Sequence, residues 1–113
     1  MKKNNRKAKI DIEIGLNENN IPELILWSAT DTQNNQNSAK AFLLSFWDAE
    51  TKNSFNIDLW TKDMTVEEMK FFIFQSLLKM SNILDKSTGD ENLVKIMKEF
   101  SEKFGKMANV IKG

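Results

Sequence analysis

The chain opens on an alternation. Ala8, Ile10, Ile12, Ile14 and Leu16 interleave with Lys9, Asp11, Glu13 and Gly15, the period of two expected of a strand with one buried and one wet face. A strand over 8–16 is predicted. The turn formers Asn17, Glu18, Asn19 and Asn20 follow, and Leu24, Ile25, Leu26 and Trp27 then cluster in a second strand over 23–29. Pro22 stands at its start, where a missing N–H breaks no ladder. Residues 32–37 form a polar tract with nothing to bury and read as a loop. A nearly continuous apolar run gives a third strand over 39–47. It sets Phe42, Leu44 and Phe46 on one face and Ala41, Leu43 and Trp47 on the other, which marks a central strand covered on both faces. The fourth strand, 53–60, sets Phe55, Ile57 and Leu59 against Ser54, Asn56, Asp58 and Trp60, and residues 48–52 close the second hairpin.

After Trp60 the period changes from two to 3.6. Thr65 with Glu68 three residues on spells a capping box, and Met64 with Met69 a hydrophobic staple, so a helix is predicted over 66–86. Its main stripe is Val66, Met69, Ile73, Leu77, Met80 and Leu84. Gly89 ends it, and Asp90 or Thr88 caps a second helix over 91–111. There Leu93, Met97, Phe100, Phe104, Met107 and Ile111 recur at spacings of four and three, a heptad-like seam that packs on the rest of the domain or extends to another chain. The predicted architecture is α+β: a four-stranded antiparallel sheet of two hairpins, followed by two amphipathic helices packed on one face. It forms a single domain over 8–113 behind a basic tail over 1–7.

Composition narrows the chemistry. The 113 residues hold 16 acidic and 16 basic side chains, with no Cys, His or Tyr. A chain without net charge has no basic excess for nucleic acid or anionic lipid, so neither nucleic-acid binding nor membrane insertion is expected. Missing His and Cys remove imidazole and thiolate ligands, disulfides and the common nucleophile–base pairs; no enzyme, no metal and no cofactor is expected. Asp11 and Glu13 interrupt the apolar run behind the basic start, which therefore does not read as a secretion signal.

Two groups of residues stand out. Trp47 and Asp48 end one strand, and Asp58, Trp60, Lys62 and Asp63 end the next. Rigid aromatics beside charges compose interface hot spots, but the same residues also serve as core and turn residues. In a hairpin the two segments are expected to be neighbours. Asp31, Asp48, Asp58 and Asp63 lack the spacing of a calcium loop. On the first helix Phe71, Phe74 and Leu78 lie outside the main stripe, so that its middle is apolar nearly all round. Such a helix is sandwiched within the fold or contacts another protein, a homodimer mate included. Trp60 has the parity of the polar residues of its strand, which predicts partial exposure.

Leu44 to Asp48, Lys52-Asn53, Ile57 to Met64, Val66, Glu68-Met69-Lys70, Gln75-Ser76-Leu77 and Thr88-Gly89 together resemble the pattern of the GldC family. Asn19 to Glu23 before Trp27, with Ala29-Thr30-Asp31 after it, is similar as well. The longest element is Ile-Asp-Leu-Trp-Thr-Lys-Asp-Met over 57–64; the tract at 33–37 is longer and more polar than the family's connection. The resemblance implies a small accessory protein of the gliding machinery of Bacteroidetes-type bacteria, with no enzymatic activity, cofactor or catalytic residue attached. The expected role is a cytoplasmic adaptor that binds a protein of the gliding or secretion apparatus. The alternative is a carrier of peptides or small molecules, chaperone-like, since the element order is similar to that of the export chaperone SecB; that comparison is analogy.

Overall fold

The computed structural model describes residues 6–30 and 36–112. Most of the basic tail, the first five residues of the polar stretch after Thr30, and the candidate Asp31 lie outside them. The chain divides into two compact units, Met1–Met64 and Thr65–Gly113.

In the first unit, β1 (Ile10–Leu16) pairs antiparallel with β2 (Pro22–Ala29), bringing Ile12 opposite Trp27 and Ile14 opposite Ile25. The turn between them is built by Asn17, whose side-chain oxygen accepts from the N–H groups of Asn19 and Ile21, and by Asn20, which takes a left-handed φ of 62°. Asparagine tolerates that region because its short polar side chain bonds locally. A short β3 (Asn37–Ala39) pairs with β2, placing Ala39 opposite Ile25. At Lys40 the chain bends, and β4 (Ala41–Asp48) pairs only with β5 (Asn53–Trp60).

The predicted four-stranded sheet is thus replaced by a three-stranded sheet β1-β2-β3 and a two-stranded sheet β4-β5. The bend is the physical cause: it takes the chain out of the β2 ladder after Ala39 and divides the predicted third strand in two. The central position expected for that strand is corrected with it, because among the described residues β4 has one neighbour, and Leu43 and Phe46 on its two faces are about half exposed. Thr61, buried at the end of β5, donates its N–H to the Lys40 carbonyl, and the Lys62 N–H reaches Pro22. The first bond extends the β4–β5 ladder by one pair, and the second ties the hairpin to the start of β2. Ile10, Ile12, Ile25 and Trp27 on one side and Phe42 and Leu44 on the other line an apolar hollow of about 220 Å³.

The second unit is a helical hairpin. Its first helix, α1 (Val66–Thr88), starts at the predicted capping box: the Glu68 N–H donates to the Thr65 hydroxyl, and the Thr65 N–H donates to the Glu68 carboxylate. It ends at Gly89, left-handed at φ 66°, where glycine carries no Cβ penalty. Asp90 caps α2 (Glu91–Met107) by accepting from the Leu93 N–H, while Thr88 belongs to the last turn of α1. The second helix is shorter than predicted because Asn109 turns left-handed, and the N–H groups of Val110 and Ile111 fold back onto the Gly105 carbonyl. The seam between the helices holds Phe74, Ser81, Val94, Ser101 and Gly105. Both seam serines donate to their own helix, Ser81 to the Leu78 carbonyl and Ser101 to that of Met97, so no hydroxyl is left unsatisfied.

Candidate functional site

The register of the second hairpin decides which candidates meet. Leu44 faces Ile57, Ser45 faces Asn56 and Phe46 faces Phe55, so one face carries Phe42, Leu44, Phe46, Phe55, Ile57 and Leu59. Trp47 and Trp60 share the opposite face. They are not neighbours, however: Trp47 stands opposite Ser54 near the turn and Trp60 opposite Ala41 at the other end. Six residues of strand separate those positions, about 20 Å. The expected patch is therefore two sites.

At the turn end, Trp47 is 67% exposed. Asp48 accepts from the Thr51 N–H at 3.1 Å and the Thr51 hydroxyl at 2.5 Å, and those bonds, the hydroxyl's first, hold its carboxyl below the usual carboxylate range. Its chemistry is that of a turn, with Lys52 left-handed at φ 58° to close it.

The other end holds more. Trp60 is 55% exposed, and with Asp58, Leu59 and Lys62 it borders a shallow depression of about 390 Å³ whose further wall is Ile21 and Pro22. Lys62 forms an ion pair with Glu23 at 3.5 Å. Asp63 accepts from the Thr61 hydroxyl at 2.6 Å. That bond, with the Asp63 N–H and the charges of Lys40 and Lys62, lowers its pKa. The result is an apolar floor with a charged rim of both signs, where a side chain from another molecule can be buried against Trp60 and oriented by the rim. Ile21 and Pro22 were not legible as site residues, since in the sequence they lead from a turn into a strand; the bond from the Lys62 N–H to the Pro22 carbonyl and the Lys62–Glu23 ion pair bring them to Trp60.

On the helices, Phe74 is 6% exposed in the α1–α2 seam, Leu78 is half-buried, and Phe71 is about half exposed with its ring stacked 6.4 Å from that of Phe74. The heptad-like seam of α2 divides: Met97 and Phe104 are half-buried, whereas Leu93, Phe100 and Met107 are exposed. Ile96, which the heptad reading left out, joins the exposed set. Among the described residues no three acidic side chains converge as metal ligands, and no helix is long and apolar enough to cross a membrane.

A family model described as gliding motility-associated protein GldC-like matches residues 22–110. No curated protein and no solved structure matches the chain.

Proposed function

Because the chain belongs to the GldC-like family of gliding motility-associated proteins, we propose that it serves gliding as a cytoplasmic, non-enzymatic adaptor, docking a protein of the gliding or secretion apparatus at the Trp60 depression. Membership supplies the process; the observation that carries the docking site is Trp60 itself. A large aromatic kept half exposed, walled by Ile21 and Pro22 and rimmed by Asp58 and Lys62, has the composition of an interface anchor. Burying the rest of it on association contributes about 2 kcal/mol.

A carrier role has less support. The apolar hollow between the two sheets, about 220 Å³, falls below the roughly 300–1,000 Å³ of small-molecule pockets.

The test is complementation. In a gliding bacterium lacking its own copy of the gene, the wild-type chain restores spreading, and Trp60→Ala at equal abundance does not. Full restoration by Trp60→Ala removes Trp60 from the docking site. The same variant must also stay folded, losing less than the roughly 3–5 kcal/mol that truncating a core aromatic costs.

A further inference from the structure

The second hairpin carries an unresolved chemical demand along one edge. The Thr61 N–H bonds to the Lys40 carbonyl and the Lys52 N–H to the Asp48 carbonyl, which sets the phase of the antiparallel ladder. Phe42, Leu44 and Phe46 aim their backbone groups at β5, so the N–H and C=O groups of Ala41, Leu43, Ser45 and Trp47 point to the other side. No strand meets that side among the described residues. The strand is eight residues long, without proline, and uncharged until its last residue, Asp48. Natural sheets blunt exposed edges with charge, proline or bulges, and β4 has no proline, no register shift and, before Asp48, no charge. Its partner differs: β5 carries Asn53, Ser54, Asn56 and Asp58, and its end is bordered by Ile21 and Pro22. By composition β4 belongs inside a sheet and β5 at its rim.

We infer that a second copy of this chain pairs with the open edge of β4, antiparallel about a two-fold axis at Leu44, to give a continuous sheet β5-β4-β4-β5. The phase of the ladder allows only registers that set odd residues opposite odd ones. Centred on Leu44, Leu43 faces Ser45 of the second copy, Ala41 faces its Trp47, and Phe42 faces its Phe46 on the apolar face. Just beyond the paired segment, Lys40 comes level with Asp48 of the second copy, and the same happens at the opposite end by symmetry. The adjoining registers, centred on Leu43 and Ser45, set Lys40 against Phe46 and Asp48 against Phe42 respectively. Charge complementarity therefore selects the first. The pairing joins the two apolar faces, each with Phe42, Leu44, Phe46, Phe55, Ile57 and Leu59, into one surface twice as wide. The inference is independent of the docking site at Trp60, which lies on the other face.

Since the chain has no cysteine, one introduced thiol reads the register. Residues facing each other across a non-hydrogen-bonded antiparallel pair have Cα atoms about 4.5 Å apart, within disulfide reach. Under mild oxidation Leu44→Cys is expected to convert to a covalent dimer, while Ser54→Cys on the rim strand stays uncrosslinked. Light scattering on the untouched protein is expected to give twice 13.1 kDa. Ser45→Pro removes an outward N–H that the β4–β5 ladder does not use, and should return the mass to 13.1 kDa with the circular dichroism of the folded chain. Leu43→Lys, at an exposed position, does the same should the proline variant not fold. A native mass of 13.1 kDa overturns the proposal. So does a dimer that Leu44→Cys fails to crosslink, or one that survives Leu43→Lys, results that point to another surface such as the exposed stripe of α2.

Discussion

Gly105→Ala tests the packing of the helical hairpin through a conflict of two effects. Gly105 lies inside α2 and is buried in the seam. Helix propensity alone favours alanine there by about 1 kcal/mol. The structure opposes this: a Cβ built at Gly105 falls 2.6 Å from Cε1 and 2.9 Å from Cδ1 of Phe74, and 2.9 Å from Cγ1 of Ile111. Carbon atoms in contact sit about 3.5–4.0 Å apart, so the Phe74 ring, itself buried, must retreat by about 1 Å. Overpacking of that kind costs about 1–3 kcal/mol. The expected net effect is a loss of about 1 kcal/mol, opposite in sign to the propensity gain. Chemical denaturation followed by far-UV circular dichroism reads the helices, whereas fluorescence reads the other unit, because Trp27, Trp47 and Trp60 all precede Thr65. In a Phe74→Leu background the penalty should shrink by about 1 kcal/mol, the coupling expected of side chains in contact. A Gly105→Ala protein more stable than wild type refutes the packing argument, and so does an equal effect in both backgrounds.

Thr65→Ala removes the hydroxyl that accepts from the Glu68 N–H and should lower stability by about 1 kcal/mol; an unchanged denaturation midpoint would mean the cap contributes nothing. Asp48 should titrate below the ordinary aspartate value of about 3.9, and Thr51→Val should bring it back toward that value in a carboxyl NMR titration. Because the folded pKa is depressed, the stability Asp48 contributes is present above the unfolded value and lost as pH falls through the folded one. Thr51→Val should therefore flatten the acid limb of the stability curve and leave its slope near neutrality unchanged; a steeper acid limb would contradict the assignment.

What the sequence made legible was what neighbouring residues decide. The Thr65 capping box, the Gly89 stop and the alternation of Phe42, Leu44 and Phe46 against Leu43 and Trp47 all depend on spacings of a few residues, and the structure has each of them. The bend at Lys40 was not legible, because Ala39, Lys40 and Ala41 contain no glycine or proline to announce it. The separation of Trp47 from Trp60 follows from the turn over 48–52, which was legible; the expected patch overlooked that antiparallel pairing sets the ends of consecutive strands at opposite ends of the ladder. The Trp60 depression required the bond between Lys62 and Pro22, forty residues apart in sequence. The division of the α2 seam depended on rotation about the helix axis, which a heptad count leaves open by a fraction of a turn.

The connection between the two helices has a kinetic consequence. Gly89 stops α1 and Asp90 starts α2, so almost no chain has to be closed into a loop before the helices meet, and the entropic barrier to their pairing is small. The first unit must instead bring Lys62 to Pro22 and Thr61 to Lys40, closures that come slowly in sheet proteins. Synthesis runs in the opposite order, since among the described residues the strands precede both helices. The helical hairpin, made after the strands, is thus the part that reaches its native form fastest, and the nascent strands spend the longest interval without their finished ladder.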